Sequence, residues 1–152
     1  MERIVDIVSP FTGGKVKEVT GTEEREFRGE QYRVPVRYYV CVDTGEQFTT
    51  TEQDGEWTSS LYNQYRERHH IPSPEQIRAT RMKYGLNVSQ LTRILGFGKN
   101  QIAWYEEGQV PNLSNGRLLS LIEDPRIMAK CVRQSAISRE EKRKILASIS
   151  SI

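Results

Sequence analysis

The stretch "NVSQLTRILGFGKNQIAWYEEG", Asn87–Gly108, decides how the second half of this chain is read. Asn87 is a helix N-cap with Gln90 three residues on, a variant of the capping box, so VSQLTRIL is predicted as a short helix. Gly96-Phe97-Gly98 supplies a turn, and KNQIAWYEE is a second helix stopped by Gly108 just past its end. Two short helices joined by a three-residue, glycine-containing turn are the signature of a DNA-binding helix-turn-helix. Ile77, Leu86, Leu91, Leu95, Ile102, Tyr105, Leu118 and Ile122 are spaced to share one core. Lys99, Asn100, Gln101 and Trp104 then lie on the outer face of the second helix, whose N-terminal part enters the major groove in this motif. Asn and Gln can pair bidentately with adenine, at about 1–3 kcal/mol of discrimination per pair. Lys99, Arg93 and Arg117 suit phosphate contacts, which position without specifying.

Outward from this unit the periodicity divides the chain. After Pro74 everything reads as helix. PEQIRATRMKY comes first, Ser114 is placed to cap NGRLLSLIE, and Asp124-Pro125 opens a helix through Arg133. Ser138 and Glu141 form a further capping box at the start of SREEKRKILASI. Upstream, Trp57, Leu61 and Tyr65 recur every four residues, which predicts a helix from Asp54 toward His69, broken by HIPSP. Before that, RIVDIVS, KVKEVT and EREFRGEQYRVPVRYYVCV read as strands, with turns at Gly13-Gly14 and Gly21 and a turn or bulge at Gly29. Pro35 inside the last run argues for an edge strand there. No internal repeat or low-complexity tract is expected. The fold class is therefore α+β. A small N-terminal antiparallel β module (residues 1–53) is followed by a linker helix and hinge (54–73). A C-terminal all-α five-helix helix-turn-helix domain with its C-terminal helices (74–152) completes it.

Composition narrows the function classes. A hydrophobic share of 36% and a charged share of 28% fit a globular protein and not a disordered one. Nothing in the sequence approaches the roughly 20 apolar residues of a membrane span, and MERIVDIVS lacks the parts of a secretion signal. With Cys41 and Cys131 in segments of different character, no disulfide framework is expected, and the default location is a reducing cytoplasm. Residues 1–70 hold 9 Lys/Arg against 13 Asp/Glu, whereas residues 71–152 hold 13 against 7. A basic second half suits a polyanion such as double-stranded DNA. The acidic first half, dense in Glu23, Glu24, Glu26 and Glu30, either faces solvent or meets a basic protein. No phosphate loop, triad or metalloprotease spacing supports an enzyme, and His69-His70 reads as a solvated pair at a helix end.

The run G-L-x-x-x-x-L-x-x-x-L-G, then I-x-x-Y-E-x-G-x-x-P, then L-L-x-L-I resembles the Xre/Cro-like helix-turn-helix family. Together with FRGEQYRVPVRYYVCVDTGEQF upstream, the chain looks most like MqsA-type antitoxins, over roughly residues 9–133. That resemblance implies a homodimer that binds a palindrome in its own promoter as a repressor. It also implies an N-terminal zinc module that sequesters a toxin through residues 1–70. By position, Asn100 matches a base-contacting asparagine of the family, whereas Trp104 stands where the family has an arginine and Val88 where many relatives have glutamine. Trp104 keeps alive an alternative, a protein-interaction adaptor that has lost specific DNA binding. The family's four zinc thiolates correspond here to Ser9, Thr12, Cys41 and Thr44. Hydroxyls do not replace thiolates as zinc ligands at neutral pH, so no metal and no cofactor are expected. Cys41 is then expected to be a small buried hydrophobe, with Asp43 and Glu46 opposing any lowering of its pKa. Cys131 is expected to pack with Ile127 and Met128. The last residues, AISREEKRKILASISSI, have no assigned role.

Overall fold

The computed structural model describes residues 1–152, as an antiparallel four-stranded sheet followed by seven helices. The α+β class holds. The strands are β1 (Glu2–Val8), β2 (Lys15–Phe27), β3 (Glu30–Cys41) and β4 (Gln47–Phe48), in sequential order across the sheet. The helices are α1 (Thr51–Arg68), α2 (Pro74–Lys83), α3 (Val88–Leu95), α4 (Gln101–Glu107), α5 (Leu113–Leu121), α6 (Pro125–Gln134) and α7 (Arg139–Ile149). The chain forms two compact units, residues 1–65 and 66–152.

In the first unit β2 and β3 form one long hairpin, paired from Val16↔Cys41 to Phe27↔Glu30. Arg28 (φ 51°) and Gly29 (φ 80°) make the two-residue turn, both left-handed as a primed turn requires. The arginine there is unusual, and its guanidinium stacks over the rings of Phe27 and Tyr65 at 4.9 and 5.0 Å. Gly21, expected as a break, lies inside β2 opposite Val36, and the ladder runs straight through it. Pro35 fits the edge expectation. β4 pairs only with Tyr39 and Val40, so at Pro35 β3 has no further strand beside it.

The expected linker helix belongs largely to this unit. α1 begins at Thr51, before the expected Asp54, because Thr50 and Gln53 exchange reciprocal backbone–side-chain bonds of 3.0 and 3.1 Å. Gly55 and the lack of apolar residues before Trp57 hide that start in the sequence. Leu61 and Tyr65 are buried with Tyr32, Val34 and Val36 of the sheet. Tyr62 and Tyr65 close on Phe27 with ring centroids 5.1 and 5.0 Å apart. The two compact units divide after Tyr65, within α1.

The second unit runs from Arg66 through α7 around one apolar core. The box of Asn87 and Gln90 forms as expected, and Gly96 ends α3 in the left-handed region (φ 71°). Ser138 accepts from Glu141 N, but the Glu141 carboxylate goes to Arg93 at 3.4 Å, so the second box forms by half. α5 is capped by Asn112 and not Ser114. Ile77, Leu86, Leu91, Ile102, Tyr105 and Ile122 are core, but Ile94 and Leu119 are buried where Leu95 and Leu118 were expected, and those two only flank it. Adjacent apolar residues make both registers consistent with a 3.6-residue period, and packing selects one. Tyr84 is buried and donates to the carbonyls of Ile122 and Glu123 at 2.6 and 3.2 Å. α7 adds Ile145 and Ile149 to this core, so the unassigned C-terminal stretch is part of the domain.

A buried carboxylate joins α2 to α4. Glu106 receives Arg81 through two bonds of 2.8 Å and Arg78 through one of 3.2 Å, and Arg81 also donates to Leu86 O at 3.0 Å. Burial by itself would raise the Glu106 pKa, but the two arginines outweigh it and hold the pKa below the usual carboxylate range. A depressed carboxylate stabilises above its unfolded pKa of about 4.3 and loses that contribution as pH falls through the lower folded value. Glu106→Gln leaves Arg81 without its anion and should cost about 2–3 kcal/mol in denaturant melts at pH 7. Its penalty should shrink as pH falls below the unfolded value of about 4.3 and vanish once the folded carboxylate, held lower, protonates too. A penalty unchanged across that range would contradict this role.

Candidate functional site

Two groups of residues carry chemistry, one in each unit. In the first unit, Ser9-Pro-Phe-Thr-Gly13 and Cys41-Val-Asp-Thr-Gly45 fold as the same loop twice. Gly13 N donates to Ser9 O at 2.9 Å, and Gly45 N to Cys41 O at 2.8 Å. Ser9 N reaches Gly14 O, and Cys41 N reaches Glu46 O, each at 2.9 Å. Thr12 Oγ1 accepts from Gly14 N at 3.1 Å, as Thr44 Oγ1 does from Glu46 N at 3.2 Å. Gly13 and Gly45 sit at φ 74° and 75°, where a side chain is disfavoured. A five-residue repeat is thus present after all. Its sequence signal is the shared Thr-Gly at the fourth and fifth positions, too short to stand out without the fold.

The paired loops bring together Ser9, Thr12, Cys41 and Thr44, the four positions that the resemblance led one to expect in place of thiolates. Ser9 Oγ accepts from the N–H groups of Phe11 and Thr12 and donates to Cys41 Sγ at 3.0 Å. Thr12 Oγ1 lies 3.7 Å from the sulfur and donates to Asp43 Oδ2 at 2.6 Å. Gly14 leaves room for that carboxylate, since a Cβ there would collide with it. Ser9 and Cys41 are both buried. The expectation of a purely hydrophobic cysteine with an unfavoured thiolate is corrected here. Hydrogen bonds from Ser9 and then Thr44 outweigh burial and bring the Cys41 pKa down to about 7. Asp43 is turned to Thr12 and does not oppose this. Cys131 behaves as expected, flanking the core with its pKa raised by burial.

In the second unit, the turn Gly96–Asn100 delivers α4 with Asn100 at its cap position and no side-chain capping bond. Lys99, Asn100 and Arg117 are exposed. Gln101 is not free beside them. Its Oε1 accepts from Gly98 N at 2.8 Å and its Nε2 donates to Tyr105 Oη at 3.3 Å, so its amide braces the turn. Arg93 is exposed, but is directed to Glu141 on α7. Trp104 is 48% exposed on α4. Beyond Gln101, α4 carries only acidic charge, Glu106 and Glu107, with Glu106 already neutralised. The Glu106 clamp and the Tyr84 anchor escaped the sequence reading. The available signal for the clamp was Arg78 and Arg81, three apart on one helix face, across from a single glutamate.

No family model matches this chain, and no curated protein matches it. No helix is long and apolar enough to cross a membrane.

Two measurements probe the paired loops. The thiolate absorbance of Cys41 should titrate with a midpoint near 7, and Ser9→Ala should move it upward; an unmoved midpoint would remove Ser9 from its role. The variant S9C/T12C/T44C should bind one Zn²⁺ per chain with tetrahedral sulfur coordination, and melt higher with metal than without. A triple variant that folds yet takes up no zinc would show that the four positions do not converge as described.

Proposed function

We propose that the chain is a sequence-specific DNA-binding repressor of antitoxin type. In this reading the second unit acts on its own operon and the first unit holds a partner protein. The observation that carries the reading is the pair Lys99 and Asn100, exposed at the start of α4. The helix itself is tied to α2 by its Glu106, which accepts from Arg78 and Arg81. An asparagine there suits adenine, and Lys99 and Arg117 suit the flanking phosphates. One seven-residue helix reads too few base pairs for a specific site, so the reading requires a homodimer on a palindrome. Gln101 joins the readout only if its bonds to Gly98 and Tyr105 are exchanged for base contacts. Arg93 reaches phosphate only by leaving Glu141.

The second reading is an adaptor without specific DNA binding. It is favoured by Trp104, half-exposed where a guanidinium would serve DNA better, and by Glu107 beside it. An indole has one donor and no charge, so it offers thymine methyls and sugars only apolar contact.

Footprinting on the DNA upstream of its own gene at 50 and 200 mM salt separates the two. The repressor gives a palindromic, salt-sensitive footprint. Asn100→Ala should lose roughly tenfold or more of its preference over random DNA, in line with about 1–3 kcal/mol per bidentate pair, while retaining non-specific binding. Equal loss on both DNAs would dismiss Asn100 as a reader, and no binding at the lower salt would leave the adaptor.

A further inference from the structure

The basic charge of the second half is concentrated outside its helix-turn-helix. Residues 71–124 hold 6 Lys/Arg against 5 Asp/Glu, whereas residues 125–152 hold 7 against 2. Ion pairing sharpens the contrast. In the first stretch Arg78 and Arg81 are held by Glu106, and Arg93 by Glu141. Lys83, which donates to the Glu123 carbonyl, and Lys99 and Arg117 remain without a carboxylate. On α6 and α7 only Arg126 and Lys144 meet one, in Asp124 and Glu140. Lys130, Arg133, Arg139, Lys142 and Arg143 meet none, while both acids of α7 are already paired.

These five cations share one surface. Lys130 and Arg133 stand three apart on α6, and Arg139, Lys142 and Arg143 fall at i, i+3 and i+4 on α7, so each set occupies one helix face. Lys142 Nζ donates to Arg133 O at 3.0 Å, which joins the two sets. The inner faces place Met128, Ala129 and Val132 of α6 and Ile145 and Ile149 of α7 in the core. Lys130, Arg133, Arg139 and Arg143 are exposed, and Lys142 is half-buried. The pair Arg93–Glu141, at 3.4 Å, sets the first turn of α7 beside α3. In a helix-turn-helix the helix that precedes the reading helix crosses the phosphate backbone. Affinity for DNA comes largely from neutralised phosphates. Lys99 and Arg117 supply about four such contacts per dimer, below the roughly 6–10 that give DNA complexes their steep salt dependence.

We propose that the outward face of α6 and α7 is a second DNA-contacting surface. Lys130, Arg133, Arg139, Lys142 and Arg143 engage the sugar-phosphate backbone beside the bases that α4 reads. This surface supplies affinity without sequence preference, and Asn100 supplies the preference. It rests on the DNA-binding part of the reading above and gives α7 a task besides completing the core.

The test measures binding of the full chain to a short random-sequence duplex between 50 and 200 mM salt. K130Q/R133Q/R139Q/R143Q should weaken binding at the lower salt at least a hundredfold. It should also flatten the slope of log K against log salt by about 3–4 per protomer, at about 0.9 for each lost contact. R133K/R139K/R143K should restore the parent slope, since phosphate contacts ask for charge and not for a particular base. Cognate and random DNA should lose equally, so the preference that Asn100→Ala removes is retained. Acetylation of the parent's lysines, read by mass spectrometry, gives a check that needs no variant. The duplex should protect Lys130 and Lys142 at least fivefold and leave Lys15 of the first unit as reactive as before. The proposal is overturned by an unchanged slope in a quadruple variant that melts like the parent, or by no binding of the parent at the lower salt. Lys130 and Lys142 equally reactive with and without duplex would overturn it too, and would leave an acidic protein as the occupant of this face. A palindromic footprint that persists with an unchanged slope in the quadruple variant would sink this surface and spare the repressor. Binding that depends on these cations without any palindromic footprint would do the reverse.

Discussion

A carboxylate removed from water must find cations, and in the helical unit this requirement organises the neighbourhood of α4. Glu106 is buried, and only Arg78 and Arg81 of α2 meet its charge. The rigid fork of Arg81 also takes the carbonyl of Leu86, tying the α2–α3 connection into the same group of bonds. α4 is only seven residues long and makes little of its own stability, since helices this short are marginal alone. Its direction follows from Ile102 and Tyr105 in the core and from Glu106 on the flank. Lys99 and Asn100 are presented outward because those three residues are held inward.

The sheet unit meets a different demand, to close two tight loops around the Cys41 sulfur. Four thiolates and a metal would do this with coordination bonds. Here the loops are closed by their own backbone, by two threonine hydroxyls, and by Ser9, which ties its loop to the sulfur of Cys41. The thiolate is favoured as a by-product of that closure, because the group best placed to seal the loops is a donor aimed at sulfur. At the other end of the hairpin no such closure exists. Aromatic packing of Phe27, Tyr32, Tyr62 and Tyr65 steadies the face against α1.

Periodicity and capping determined a good deal of this. The α+β order, the Asn87 box, the Gly96 stop and the αα turn were legible because each depends on residues within four positions of one another. So was the edge character of Pro35, since proline lacks the N–H a central strand would use. What required the tertiary structure was every choice between locally equivalent options. Ile94 over Leu95 and Leu119 over Leu118 depend on the shape of the core. The role of Gln101 depends on Tyr105 lying one turn away, its hydroxyl accepting from both Gln101 and Asn115. Helix α1 joins the sheet because Phe27 and Tyr32 lie across from Tyr65, a pairing over more than thirty residues of chain. The lowered pKa of Cys41 comes from Ser9, thirty-two positions earlier. Local sequence specifies what an element is, through bonds closed within a turn or two. Which of its faces is buried, and which of its polar groups remain free, depends on partners that only the folded chain brings near.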